Sequence, residues 1–156
     1  MAVDDLDARI LTLLAEQPRI SILEISRRAG VARATVHARL QRLQSDGTVR
    51  GFGPELDTAR LGYPVTAFCT VEIHQRAGHD AAADHLVGIP EVLEAYTVTG
   101  PGDLLVRVAA RSNSDLQRII DGIVADDSVV RVATTIVLRT QIRARTLPLL
   151  HAAVGD

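Results

Sequence analysis

The 156-residue chain has no tryptophan, no lysine and one cysteine, Cys69. A lone cysteine excludes an internal disulfide and any zinc cluster built on several thiolates. Aromatic residues make up only 3% of the chain, so its core must be assembled from Val, Leu, Ile and Ala. No apolar run approaches the roughly 18 residues that a membrane-spanning helix needs. The opening MAVDDLDARI is acidic where an export signal would be basic, and a reducing cytoplasm is the expected compartment. His37, His74, His79, His85 and His151 show neither HxxxH nor HxH spacing, so no metal site is expected. GxGxxG, P-loop and GxSxG motifs are missing too, and nothing points to a catalytic centre. Cys69 falls on an alternating strand face and reads as a packing residue.

What is present is an uneven distribution of charge. The net formal charge is −2. Residues 1–53 nevertheless carry eight arginines against six acids, while residues 54–156 carry nine against thirteen. Between residues 27 and 50 there are six arginines and a single acid, Asp46. The stretch RRAGVARATVHARLQRL concentrates this charge on a segment that also keeps Val36, Leu40 and Leu43 at helical spacing.

Residues 5–16, DLDARILTLLAE, place Leu6, Ile10, Leu13 and Leu14 on one helical face, with Asp4 or Asp5 as a cap and Pro18 ending the pattern. Ser21 followed by Glu24 predicts a capping box for a short second helix, with Ile20 and Ile25 spaced for a hydrophobic staple. That helix should end at Gly30, and a third should run from about Arg33 to Ser45. Residues 48–54, TVRGFGP, read as a short β ribbon. Three helices and a ribbon form the pattern of a winged helix-turn-helix over residues 1–54, and 55–64 read as a linker.

The second half, 65–156, has another rhythm. Val65, Ala67, Cys69, Val71 and Ile73 alternate with polar or aromatic neighbours, which predicts a strand. Residues 78–88 read as a helix. VLEAYTVTG and DLLVRVAA, joined by Gly100-Pro101-Gly102, predict a hairpin over 92–110. Ser112 and Asp115 cap a helix carrying Leu116, Ile119, Ile120, Ile123 and Val124, and residues 129–143 read as a long last strand. The fold class is therefore α+β, a winged helix-turn-helix followed by a ferredoxin-like βαββαβ domain. Two helices cover only one face of four strands, so a second copy is expected on the other.

On a helical wheel with Val36 at zero, Leu40 falls at about +40° and Leu43 at about −20°, which marks the buried stripe. Ala34 and Ala38 lie opposite, with Thr35, His37, Gln41 and Arg42 around them and Arg33 and Arg39 flanking the stripe. Small residues allow close approach to a major groove, while Thr, His, Gln and Arg can reach base edges. Arg27 and Arg28 on the preceding helix and Arg50 on the wing can meet phosphates. A charged helix face is also what any solvated helix presents. The run of three helices and a wing, with no acid between Glu24 and Asp46, favours duplex DNA.

In the order and spacing of these features the chain resembles the Lrp/AsnC, or feast/famine, family of transcriptional regulators. LDARILTLLAEQPRISILEISRRAGV is similar to the opening helices of that family. Val36, Arg39, Leu40 and Leu43 fit its recognition helix, and DGTVRGF follows. Leu56, Asp57, Leu61 and Gly62 fit its linker, Val98-Thr99-Gly100 with Asp103-Leu104-Leu105 its Gly-x-x-Asp hairpin, and TTIVL its last strand. The resemblance implies a homodimer that assembles further, often to an octamer, and a nucleoid-associated cytoplasmic protein. It implies an amino-acid effector and no other cofactor. Carried over by position, Gly100, Asp103, Leu104 and Thr135 become pocket candidates, with Val98 and Thr134 beside them. Asp103 can bind an ammonium group, and it can equally be an ordinary hairpin-turn aspartate. Ala32 stands where the family has a capping Ser, and Gly102 where an aromatic often precedes the Asp. Two alternatives remain open: an enzyme like the siroheme decarboxylases, which share the fold, and an architectural protein that wraps DNA without an effector. The arginine-rich third helix argues against the enzyme.

Overall fold

The computed structural model describes residues 3–74 and 78–155; residues 1, 2, 75–77 and 156 lie outside it. The chain divides into two compact units, one holding residues up to Pro54 and from Ile142 onward, the other Glu55–Gln141. No helix among the described residues is long and apolar enough to cross a membrane.

In the first unit, α1 (Asp5–Glu16) begins on a complete capping box: the Asp4 side chain accepts from the Asp7 N–H and the Asp7 side chain from the Asp4 N–H. Helix α2 (Ile22–Ala29) starts with Ser21 Oγ accepting from the Glu24 N–H. The reciprocal half of that predicted box is not made, because the Glu24 carboxylate instead accepts from Arg28 Nε at 2.8 Å. Gly30 ends the helix at φ 68°, a left-handed conformation that favours glycine. Helix α3 (Arg33–Ser45) follows directly, with Ala32 at the N-cap and no side-chain cap. Ile10, Ile25 and Val36, one from each helix, form the buried centre.

Three expectations need correction. Residues 48–54 form no strand. The chain instead folds back on the end of α3, with the Val49 N–H donating to the Leu43 carbonyl and the Thr48 N–H to Asp46 Oδ1. A lone two-stranded ribbon is marginal in water, and Gly51, Gly53 and Pro54 are poor strand residues. The second unit does not extend to residue 156. Its last strand stops at Ile136, and a helix the sequence reading missed, α6 (Leu147–Val154), packs on α1 in the first unit. Pro148 in its first turn was the available signal. Finally, residues 55–64 are more than a linker. Asp57 Oδ1 accepts from the Ala59 N–H to build a turn, and Tyr63 Oη accepts from Arg111 at 3.0 Å, all within the second unit.

That unit is a four-stranded antiparallel sheet of order β2-β3-β1-β4. Its elements run β1 (Val65–Ile73), α4 (Gly78–Val87), β2 (Val92–Thr97), β3 (Leu104–Ala110), α5 (Asn113–Val124) and β4 (Val129–Ile136). Ser112 caps α5 as predicted. The two helices bury Ala82, Leu86, Leu116, Ile119 and Ile123 against Ala67, Cys69, Val71, Val106 and Val108. Burial pushes the Cys69 thiol pKa up, the behaviour of a packing residue. On the other face the register aligns Tyr96, Leu105, Thr70 and Ala133 in one row and Glu94, Arg107, Phe68 and Thr135 in the next. Predicted β4 shortens because β1, its only neighbour among the described residues, begins at Val65 and offers no partner further on.

Candidate nucleic-acid interface and effector region

The outer side of α3 is exposed at Arg33, Ala34, His37, Ala38 and Gln41, and Thr35 is half-buried at its margin. These residues fall together because the stripe of Val36, Leu40 and Leu43 anchors the opposite side. The helix therefore presents small residues at the centre of its free face and hydrogen-bonding side chains around them. Gln44 and Ser45 extend this face by one turn; the sequence reading had passed over both. Arg27 and Arg50 are exposed, on α2 and on the segment after α3. Arg28 is exposed as well, with its Nε on Glu24.

Arg39 and Arg42 are engaged within the first unit. Arg42 Nη2 donates to Asp7 Oδ2, and Arg39 Nη1 donates to Asp4 Oδ2 and, at 3.2 Å, to Asp7 Oδ1. Asp7 has no solvent exposure. A buried carboxylate is tolerable only when paired, and two guanidinium groups of α3 supply the pairing. These arginines thus tie α3 to the start of α1. The sequence carried a signal for this that went unread: Asp7 lies three and seven positions before Ile10 and Leu14, inside the apolar face of α1. The Arg39 hydrogen bond, reinforced by the Asp7 N–H, holds the Asp4 carboxyl down to about 2, and the same hydrogen bond raises Arg39 above the usual guanidinium value. The charge surplus of residues 27–50 is smaller in space than in sequence. Of its six arginines, Arg27, Arg33 and Arg50 have no ion pair among the described residues.

The residues expected at an effector pocket do not all converge. Val98 and Asp103 meet at the hairpin end, where the Val98 N–H donates to the Asp103 carbonyl at 3.0 Å, and Gly100 is exposed at the tip. Asp103 is built into the backbone. Its Oδ2 accepts from the Ile73 N–H at 2.8 Å and its own N–H donates to the Val71 carbonyl at 2.9 Å. The carboxylate thus ties the hairpin to the end of β1 rather than closing its own turn, which commits one oxygen. Leu104 is 3% exposed and sealed in the core, so the expectation that it lines a pocket needs correction. Thr134 and Thr135 lie on β4, two strands from β3 or roughly 10 Å away, and they point to opposite faces. Thr134 Oγ1 sits 3.6 Å from Cys69 Sγ on the covered face, while Thr135 opposes Phe68 on the open one. Gly102 explains its own departure from the family pattern. A Cβ there would come within 2.4 Å of Thr70 Cγ2 and 3.2 Å of the Val71 carbonyl oxygen.

A helix-turn-helix with a free polar third helix, joined to an antiparallel αβ domain, defines the class of DNA-binding transcriptional regulators with a separate regulatory domain. Residues 3–44 match the AsnC-type helix-turn-helix domain, and residues 66–147 match the Lrp/AsnC ligand binding domain. The HTH-type transcriptional regulator FL11 of Pyrococcus furiosus is 30% identical over 147 residues, 94% of this chain and 96% of that one. The structure of E. coli AsnC is similar with a TM-score of 0.88 at 29% identity, covering 95% of this chain and 100% of that one. A feast or famine regulatory protein from M. tuberculosis, solved with L-methionine, has a TM-score of 0.83 at 29% identity, covering 92% and 97%. The chain belongs to the Lrp/AsnC family of transcriptional regulators.

Proposed function

We propose that this protein is a sequence-specific regulator, cytoplasmic and nucleoid-associated, whose second unit responds to an amino acid. The observation that carries the DNA reading is the free face of α3, where Ala34 and Ala38 leave room for a duplex and His37, Gln41 and Arg33 surround them. The amino-acid reading draws on the relative solved with L-methionine and on the family match over residues 66–147. Val98, Gly100 and Asp103 at the hairpin end, with Thr135 on the open face, are its candidate contacts. Because these groups lie apart in one chain, a site that uses them all needs a second copy. The open sheet face, with Phe68, Leu105 and Tyr96, offers a surface for that copy, and further assembly toward an octamer follows the family pattern. Two-fold symmetry would set α3 and its mate about 34 Å apart, in successive major grooves of an imperfect palindrome.

The test has two parts. Selection from a random duplex library, followed by anisotropy at fixed salt, should return a palindromic site bound at least a thousandfold tighter than random DNA; a ratio near one overturns sequence specificity. Thermal unfolding with each of the twenty amino acids should identify at least one that stabilises, by about 2.7 kcal/mol at a hundred times its Kd. A flat response to all twenty overturns the effector reading.

A further inference from the structure

We propose that Asp4 sets how much of this protein's DNA affinity is independent of sequence: by holding the Arg39 guanidinium, it withholds one phosphate contact that DNA must compete to obtain. The inference rests on the DNA-binding reading of α3 and adds a residue outside the recognition helix that tunes its phosphate binding.

The argument starts from a difference between two neighbouring ion pairs. Arg42 is held by Asp7, which has no exposure, and releasing it would strand a buried charge. That pair is a fixed clamp. Arg39 is held mainly by Asp4, with side chains 31% and 50% exposed, and more weakly at 3.2 Å by Asp7, which keeps Arg42 as its partner if Arg39 leaves. An ion pair at the solvent boundary contributes little, so another anion can exchange for the carboxylate. A DNA phosphate is such an anion, and a planar guanidinium suits it geometrically. Position favours the exchange. Arg39 lies one helical turn after Thr35, at the margin of the face assigned to DNA.

Asp4 acts against phosphate in two ways, by occupying Arg39 and by adding a negative charge beside the duplex. Both effects apply to every DNA sequence, since phosphate contacts carry no base information. Withholding one such contact lowers specific and random affinity by the same factor, so Asp4 sets the level of electrostatic binding while Ala34, His37, Ala38 and Gln41 remain free to read bases.

The experiment compares full-length wild type, Asp4→Asn, Asp5→Asn and the double variant Asp4→Asn/Arg39→Ala on random-sequence duplex DNA across a salt series. Asn caps a helix as well as Asp, so Asp4→Asn keeps the start of α1, and an unchanged helical circular-dichroism signal at the assay temperature verifies this. Asp4→Asn should bind random DNA several-fold more tightly at low salt. With one more phosphate neutralised, its affinity should fall about 3.5-fold further than wild type's between roughly 50 and 200 mM salt. Asp5→Asn removes the same charge from the same turn, but Asp5 makes no ion pair among the described residues, so its salt slope should match wild type. Adding Arg39→Ala should abolish the gain of Asp4→Asn. An unchanged slope for Asp4→Asn, an equal steepening in Asp5→Asn, or a gain that survives Arg39→Ala each overturns the inference alone. No DNA binding by wild type at any salt overturns the underlying reading, and this inference with it.

Discussion

Arg42 and Asp7 are 35 positions apart in sequence, yet the Arg42 guanidinium donates directly to the fully buried Asp7 carboxylate. The relationship makes an arginine of the recognition helix a structural element of the first unit. It also predicts the consequence of losing either partner.

Asp7→Ala should lower the stability of the protein by about 3 kcal/mol, because the Arg42 charge keeps a half-buried site and loses its counterion. Urea unfolding measures this directly. A loss under about 1 kcal/mol would show that the pair is no more than a surface contact.

Arg33 and Arg42 should separate cleanly. Arg33→Ala removes an exposed cation, so the fold should survive while the salt slope for DNA binding flattens by about 0.9, one phosphate contact. Arg42→Ala should unfold at lower denaturant. Were Arg42→Ala fully stable and Arg33→Ala silent in DNA binding, the assignment of the two sides of α3 would be reversed.

The Asp4 carboxyl, held down to about 2 by Arg39, ties stability to acid pH. Its ionised form is favoured by the fold, so its contribution is complete above the ordinary value of 3.8 and disappears as pH falls toward about 2. Wild type should therefore lead Asp4→Asn in thermal midpoint at neutral pH, and the gap should close between about pH 4 and 2. A gap that is constant down to pH 2 would contradict the linkage.

Gly102→Ala should destabilise the second unit by about 1–3 kcal/mol through overpacking against Thr70 Cγ2 and the Val71 carbonyl oxygen. Thr70→Ser removes that Cγ2 and should restore part of the loss. If the two substitutions simply add, Thr70 is not the obstacle.

Ala32 precedes α3 with extended backbone, φ −66° and ψ 149°, and offers no side-chain cap. Ala32→Ser fits that conformation and should add about 1 kcal/mol by accepting from a first-turn N–H of α3. Equal unfolding midpoints for the two proteins would rule this out.

Several of these features were legible before any coordinates. Capping pairs and helical spacing marked α1, α2, α3 and α5, and strict alternation marked β1, because local hydrogen bonding and a buried stripe leave a direct imprint on residue order. The hairpin was equally plain from Gly100-Pro101-Gly102. The ribbon after α3 was over-read, since β-branched residues next to glycine do not form a strand without a partner strand. Helix α6 was under-read because eight mostly apolar residues lack a periodicity that separates helix from strand. In the effector region, Leu104 shared a motif with Asp103, but the strand pleat turns the two to different surroundings.

Residue order alone determined that a cationic, half-apolar helix would form at 33–45, and that Val36 and Leu43 would face inward. It could not decide which flank of that helix would be covered, because Arg33 on one side and Arg39 and Arg42 on the other look alike on a wheel. Tertiary packing made the choice. The start of α1 brought Asp4 and Asp7 to the Arg39 and Arg42 side, and once Asp7 was buried its charge required those guanidinium groups. Long-range electrostatics, which depends on distance in space rather than along the chain, left Arg33 without an ion pair among the described residues and its counterparts engaged.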